Sequence, residues 1–205
     1  MKIEIKHRRT GAVLYAMQIA NDDQYPIRTA LERAVADGVN LIGANLVSAN
    51  LACAYLRGAN LRGANLSYAN LSYADLIDAN LSDVNLSDAN LFDADLSNAD
   101  LTDAKYKGVP VVRRLDARIL ELIESGDGEL DMTDWHTCKT THCRAGWAVT
   151  LAGKAGRKLE AKIGTTAAGA LIYHRSIGRV PDFHVSDEDA LADIIACAHD
   201  QGGIR

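Results

Sequence analysis

Aromatic residues are scarce in this chain of 205 residues: seven Tyr, two Phe and two Trp make up 5% of it, while 48% is apolar. That scarcity argues against a core built on rings and favours a slim interior of aliphatic side chains. No run of 18 apolar residues occurs, so no transmembrane helix is expected. The opening stretch, Met1-Lys2-Ile3-Glu4-Ile5-Lys6, alternates charge with apolar residues and lacks the apolar region of a secretory signal. Four cysteines without such a signal predict free thiols in a reducing, cytoplasmic setting. Also missing are a Gly-rich phosphate loop, a Ser-His-Asp signature and an EF-hand. Gly153-Lys154-Ala155-Gly156 lacks Walker spacing and a preceding strand, and reads as a loop that ends a helix. No enzyme activity and no cofactor are expected.

What the chain has instead is a period. Thirteen leucines fall on every fifth residue from Leu41 to Leu101, and Tyr106 takes the next place. Two positions before each leucine stands alanine, or valine at Val39 and Val84, and one before it is usually Asn or Asp. Five residues fit neither the helical nor the strand period. On a helix, each step of five would rotate the leucine by about 140°, so no face would collect them. The pattern belongs to a repeat architecture. Leucine and the small alanine point inward, several units close one coil, and coils stack through backbone hydrogen bonds about 4.8 Å apart. Asn and Asp before leucine suit tight turns, because their short side chains reach the nearby backbone.

These A(N/D)Lxx units, such as Ala44-Asn45-Leu46 and Ala99-Asp100-Leu101, resemble the pentapeptide-repeat family. The resemblance covers about residues 39–106 and implies a right-handed, four-sided β-helix with four units per coil. Fourteen units would then make a rod on the order of 17 Å long. The expected fold is mainly a β solenoid with an N-terminal hairpin-helix cap (1–38) and a C-terminal α-helical domain (107–205). In the cap, Ile3 and Ile5 lead to a Thr10-Gly11 turn and a return strand. Pro26 then opens a helix with Ile27, Leu31, Ala34 and Val35 inward, ended by Gly38. Beyond Pro110, helices are predicted over 113–125, 141–151, 165–176 and from Ser186 to about His199, with a loop from 126 to about Asp134. The cap resembles the starts, and the last domain the tails, of phage-borne proteins, which suggests a mobile-element origin.

Net charge is −5, and the repeat supplies all of it. Arg57 and Arg62 lie in its first half, whereas eight aspartates and no basic residue occupy Asp75 to Asp103. With four units per coil, Asp83, Asp100 and Asp103 share one face, and Asp75, Asp78 and Asp95 the next. Some pentapeptide-repeat proteins are DNA mimics whose acidic rods occupy the DNA site of gyrase. The resemblance therefore implies a protein partner with a basic DNA-binding groove, with no direct nucleic acid and no membrane as partners. This rod is short and lacks a loop insertion, and its acid excess is modest. The alternative is a structural module that forms homo-oligomers through its helical domain or its coil ends. Tyr68 and Tyr73, with Phe92 one coil on, read either as a protein-contact patch or as packing against the cap or the helical domain, with the second reading preferred.

The remaining chemistry lies in Trp135–Trp147. His136, Cys138, His142 and Cys143 are soft metal donors within eight residues, but their spacing matches no common zinc module. Cys143 or Cys138 beside a histidine is the nucleophilic alternative. The plainer expectation is a packed turn and helix start, capped by Thr140 or Thr141, with Gly146 permitting close helix contact.

Overall fold

The computed structural model describes residues 1–133 and 141–201 and divides into two compact units, Met1–Lys107 and Gly108–Arg205. The first unit begins with an antiparallel hairpin, β1 (Lys2–Lys6) and β2 (Val13–Gln18), whose register runs from Lys2↔Gln18 to Lys6↔Val13 with a bulge after Ile5. Helix α1 (Pro26–Ala36) follows, with Pro26 at its start and Ala30, Leu31 and Ala34 buried.

From residue 41 the backbone repeats with a step of twenty: Asn45 bridges Asn65, which bridges Asn85, which bridges Lys105. Four pentapeptides therefore close each coil, as the resemblance implies. All thirteen repeat leucines are buried. The five N–H groups of a unit can be accounted for one by one. Taking the unit centred on Leu66, the N–H of Asn65 donates back one coil to Ala44 (2.8 Å), and those of Leu66 and Tyr68 donate forward to Asn85 (2.9 Å) and Ser87 (3.0 Å). The N–H of the following Ala69 closes the corner on the Leu66 carbonyl at 3.0 Å. Ser67 N–H, facing no coil, donates to the Asn65 side chain at 3.2 Å. This last bond explains the Asn or Asp that precedes every repeat leucine but Leu56: its Oδ1 takes the one backbone donor of the unit that faces no coil.

The second residue after each leucine turns the corner in the left-handed region. Gly43, Gly58 and Gly63 do so, and so do ten non-glycine residues from Ser48 (φ 55°) to Asp103 (φ 54°). Asp and Asn tolerate that conformation better than other side chains.

The cap supplies what the first coil lacks. Lys6 C=O accepts from Asn45 N–H at 2.7 Å, Arg8 N–H donates to Gly43 at 2.7 Å, and His7 pairs with Ala44. From α1, Glu32 accepts from Tyr55 N–H at 2.9 Å and Arg28 donates to Ala52 C=O at 2.8 Å. An exposed end of a solenoid is a template for unwanted pairing, and these bonds blunt it.

The second unit contains α2 (Leu115–Ser125), a two-residue parallel pair β3 (Glu129–Leu130) and β4 (Thr141–His142), α3 (Arg144–Leu151), α4 (Gly153–Ile163), α5 (Thr165–Ile177) and α6 (Asp187–Asp200). Several expectations are corrected here. Helix α2 starts at Leu115, not 113, because Arg114 is left-handed. Residues 141–142 form β4, and α3 is capped by the Cys143 sulfur, which accepts from Gly146 N–H, rather than by a threonine. The stretch read as a helix-ending loop at Gly153–Gly156 begins α4. Gly153 makes the corner at φ 63°. Gly156 is there for contact: a Cβ on it would lie 2.7 Å from that of Ala152. A close helix approach is made at Gly169, where an added Cβ would stand 2.7 Å from Ala145 Cα and so keep α5 off α3. Ser186 caps α6 by accepting from Asp189 N–H at 3.2 Å. No helix among the described residues is long and apolar enough to cross a membrane.

Candidate functional site

The six aspartates of the expected acidic edge fall into two structural sets. Asp75, Asp95 and Asp100 precede leucines, and their Oδ1 atoms accept from the N–H groups of Ile77 (3.1 Å), Ser97 (3.0 Å) and Thr102 (2.9 Å). Asp78, Asp83 and Asp103 occupy left-handed corners at φ 59°, 58° and 54°. The twenty-residue step cuts across these sets: it places Asp75, Asp78 and Asp95 on the face that also carries Arg57, and Asp83, Asp100 and Asp103 on the face of Arg62. The structure uses that proximity. Arg57 lies 3.4 Å from Asp75 and 3.7 Å from Asp78, and Arg62 lies 3.3 Å from Asp83. Each of these pairs is solvent-exposed and worth about 0–1 kcal/mol. Asp78 also accepts from Asn98 at 2.7 Å. The edge is thus partly compensated toward the cap.

Residues 30–67 and 69–105 match the family model described as Pentapeptide repeats, in eight copies. This coil belongs to the pentapeptide-repeat family. Among solved structures, the chain is similar to a pentapeptide repeat protein from the Arabidopsis thaliana thylakoid lumen, at 32% identity and TM-score 0.33, covering 34% of this chain and 48% of that one. It is also similar to HetL, a pentapeptide repeat protein involved in heterocyst differentiation regulation from the cyanobacterium Nostoc, at 34% identity and TM-score 0.25, covering 37% and 43%. The chain spans less than half the length of either structure. None of the curated proteins matches it. Pentapeptide-repeat proteins are generally non-enzymatic interaction modules.

On the pentapeptide-repeat coil the aromatics face solvent. Tyr55, Tyr68 and Tyr73 are 76%, 64% and 58% exposed, which corrects the expectation that the last two pack against the cap. Tyr73 meets Phe92 edge to face at 5.5 Å, a contact between successive coils on one face.

In the second unit, His136 and Cys138 lie outside the described residues. His142 is buried, its ring edge-on to Trp147 at 4.7 Å and its Nε2 3.4 Å from the Thr150 hydroxyl. Burial pushes the Cys143 thiol above its ordinary range, away from the thiolate a nucleophile or metal ligand needs. Among the described residues no group of three His, Cys, Asp or Glu is placed to hold a metal. Of the packed turn and helix start, the described part is the helix, with Cys143 and Trp147 both buried.

Sequence reasoning missed a buried charge cluster. Arg144, 1% exposed, donates to Tyr173 Oη (3.0 Å), Asp116 (2.9 Å) and Asp193. Tyr173 also donates to Asp116 at 2.9 Å, and Arg179 to Asp193 at 2.6 Å. Burial opposes the Arg144 charge, but Tyr173, Asp116 and Asp193 outweigh it and hold the guanidinium protonated. Burial drives the Tyr173 phenol well above its ordinary value, so it stays a donor. With every arm of the cluster engaged, it ties α2, α3, α5 and α6 together rather than offering a reactive group. The available signal was one arginine between Cys143 and Ala145 at the head of an otherwise apolar helix.

Proposed function

We propose that this chain is a non-enzymatic protein-binding module whose acidic edge competes with DNA for the basic groove of a DNA-binding enzyme, gyrase-like or a defence nuclease. One observation carries the reading: the twenty-residue step brings Asp75, Asp78, Asp83, Asp95, Asp100 and Asp103 onto two adjacent faces of one rigid coil. Carboxylates fixed on such a scaffold meet a cationic groove with little ordering cost.

The backbone roles of these residues dictate the test. Asparagine keeps both the Oδ1 acceptor and the tolerance of the left-handed corner, and removes only charge. Replacing all six by Asn should therefore leave thermal stability unchanged. In competition against duplex DNA for gyrase and a panel of nucleic-acid enzymes, the native chain should inhibit at low salt and lose at least about tenfold at high salt. The six-Asn variant should not inhibit. No inhibition by the native chain at any salt, or equal inhibition by the variant, would sink the proposal.

A further inference from the structure

Where the cap's hairpin turn meets the coil, the first unit carries a cleft of about 440 Å³ lined by cations. Arg8, Arg9, Arg62 and Lys105 line it together with His7, against two carboxylates, Asp83 and Asp103. Arg62 is taken up by Asp83 at 3.3 Å. Arg8, Arg9 and Lys105 make no side-chain hydrogen bond or ion pair among the described residues. Unspent charge gathered in a concavity is a recognition feature rather than a stabilising one.

The local sequence holds the cleft open. Gly43 and Gly63 succeed one another, one coil apart, at corners that Asp83 and Asp103 occupy further on. The His7 ring lies against Gly43, where any side chain would strike it, and the Arg8 guanidinium lies over Gly63, 3.8 Å from where a Cβ would be. The turn itself is fixed. His7 Nδ1 accepts from the N–H groups of Arg9 (3.3 Å) and Thr10 (3.2 Å), and Arg8 N–H is tied to Gly43. Two adjacent arginines are thereby projected from a rigid turn, with the glycine floor bare beneath one of them.

We propose that this cleft binds a small phosphate monoester carrying hydroxyl groups, of the sugar-phosphate class. Arg8 and Arg9 take the phosphate over the glycine floor, since guanidinium donors match phosphate oxygens in pairs. Asp83 and Asp103, which would repel a bare anion, accept hydrogen bonds from the hydroxyls. The volume exceeds what phosphate alone requires and leaves room for that second part. The site shares Asp83 and Asp103 with the acidic edge, but its deciding test varies Arg8 and Arg9, which the edge reading does not use.

Calorimetric titration of the full chain with ribose 5-phosphate, inorganic phosphate and ribose separates the parts of the proposal. Ribose 5-phosphate should bind most tightly, inorganic phosphate more weakly and ribose not measurably. The double variant Arg8→Gln, Arg9→Gln should weaken ribose 5-phosphate by about tenfold or more, the order expected for lost charged hydrogen bonds. Its melting temperature should stay unchanged, because the turn is held by backbone groups and His7. Asp103→Asn should narrow the preference for ribose 5-phosphate over phosphate. Equal affinity for the two phosphates would overturn the hydroxyl half. Absence of binding by the native chain, or undiminished binding by the double arginine variant, would overturn the site.

Discussion

In the coil the buried side chains are aliphatic save for Ser67 and Ser97, whereas the helical unit buries Arg144, Asp116 and His142. The contrast follows from how each unit satisfies its polar groups. In the coil, backbone bonds run between successive turns, polar side chains serve only the corners, and the interior is left to Leu and Ala. The helical unit satisfies its backbone within helices, so its elements need side chains to fix their mutual positions. One arginine reaches three of them.

Removing that arginine should produce the largest effect. Arg144→Met leaves Asp116, fully buried, without its cation, and breaking one side of a buried pair costs about 3–5 kcal/mol. Both tryptophans lie in the helical unit, at 135 and 147, so fluorescence-detected urea unfolding reads it selectively. Adding Asp116→Leu should restore much of the loss, since an apolar pair avoids burying charge at all. If Arg144→Met alone were neutral, the cluster would not be what orders these helices.

The coil breaks by another route. Leu71→Ala removes a buried side chain from the middle of the ladder, stacked between Leu51 and Leu91. Each coil packs four leucines into one level, and the bonds to the coils above and below keep the walls from closing on the gap, so the cost should be about 2–5 kcal/mol. Far-UV circular dichroism of the coil transition measures it. A loss below about 1 kcal/mol would mean that backbone hydrogen bonds, not the leucine ladder, carry the coil's stability.

The same contrast explains what was legible in the sequence. Leu41 to Leu101 repeat one local environment thirteen times, so inward and outward positions follow from the period, while coil size, and with it the neighbours of any residue, follows from what the family resemblance implies. The side-chain bond from Asn65 to Ser67 N–H is local enough to foresee. Helix α4 was hidden because Gly153 and Gly156 signal loops locally and act as a corner and a contact only in the packed structure. The Arg144–Asp116–Asp193 cluster joins residues far apart in the chain, and no spacing rule connects them. The arginine cleft was missed for a related reason: Arg8 and Arg9 belong to the cap, and their meeting with Gly43 and Gly63 depends on how the hairpin docks on the first coil.

The smallest effect bears most directly on function. An aspartate on the coil serves either its own corner or a partner, and Asp88 can tell how strong the first reason is. It sits at φ 57°, outside both the acidic-edge set and the cleft. If corner geometry selects residues here, Asp88→Val should cost about 1–2 kcal/mol, since a β-branched side chain is strained in the left-handed region. Asp88→Gly should stay within about 0.5 kcal/mol, its gain in the fold offset by the greater freedom of the unfolded chain. Both are read from the coil's urea midpoint. That outcome would leave the corners' need for Asp, Asn or Gly as sufficient cause for Asp78, Asp83 and Asp103, so charge would have to be argued from Asp75, Asp95 and Asp100. There asparagine would serve the backbone equally well, as it does at Asn65 and Asn85. Were Val accepted as readily as Gly, the corner would impose no such choice. The run of aspartates would then need a cause outside the chain, which strengthens the case for a cationic partner.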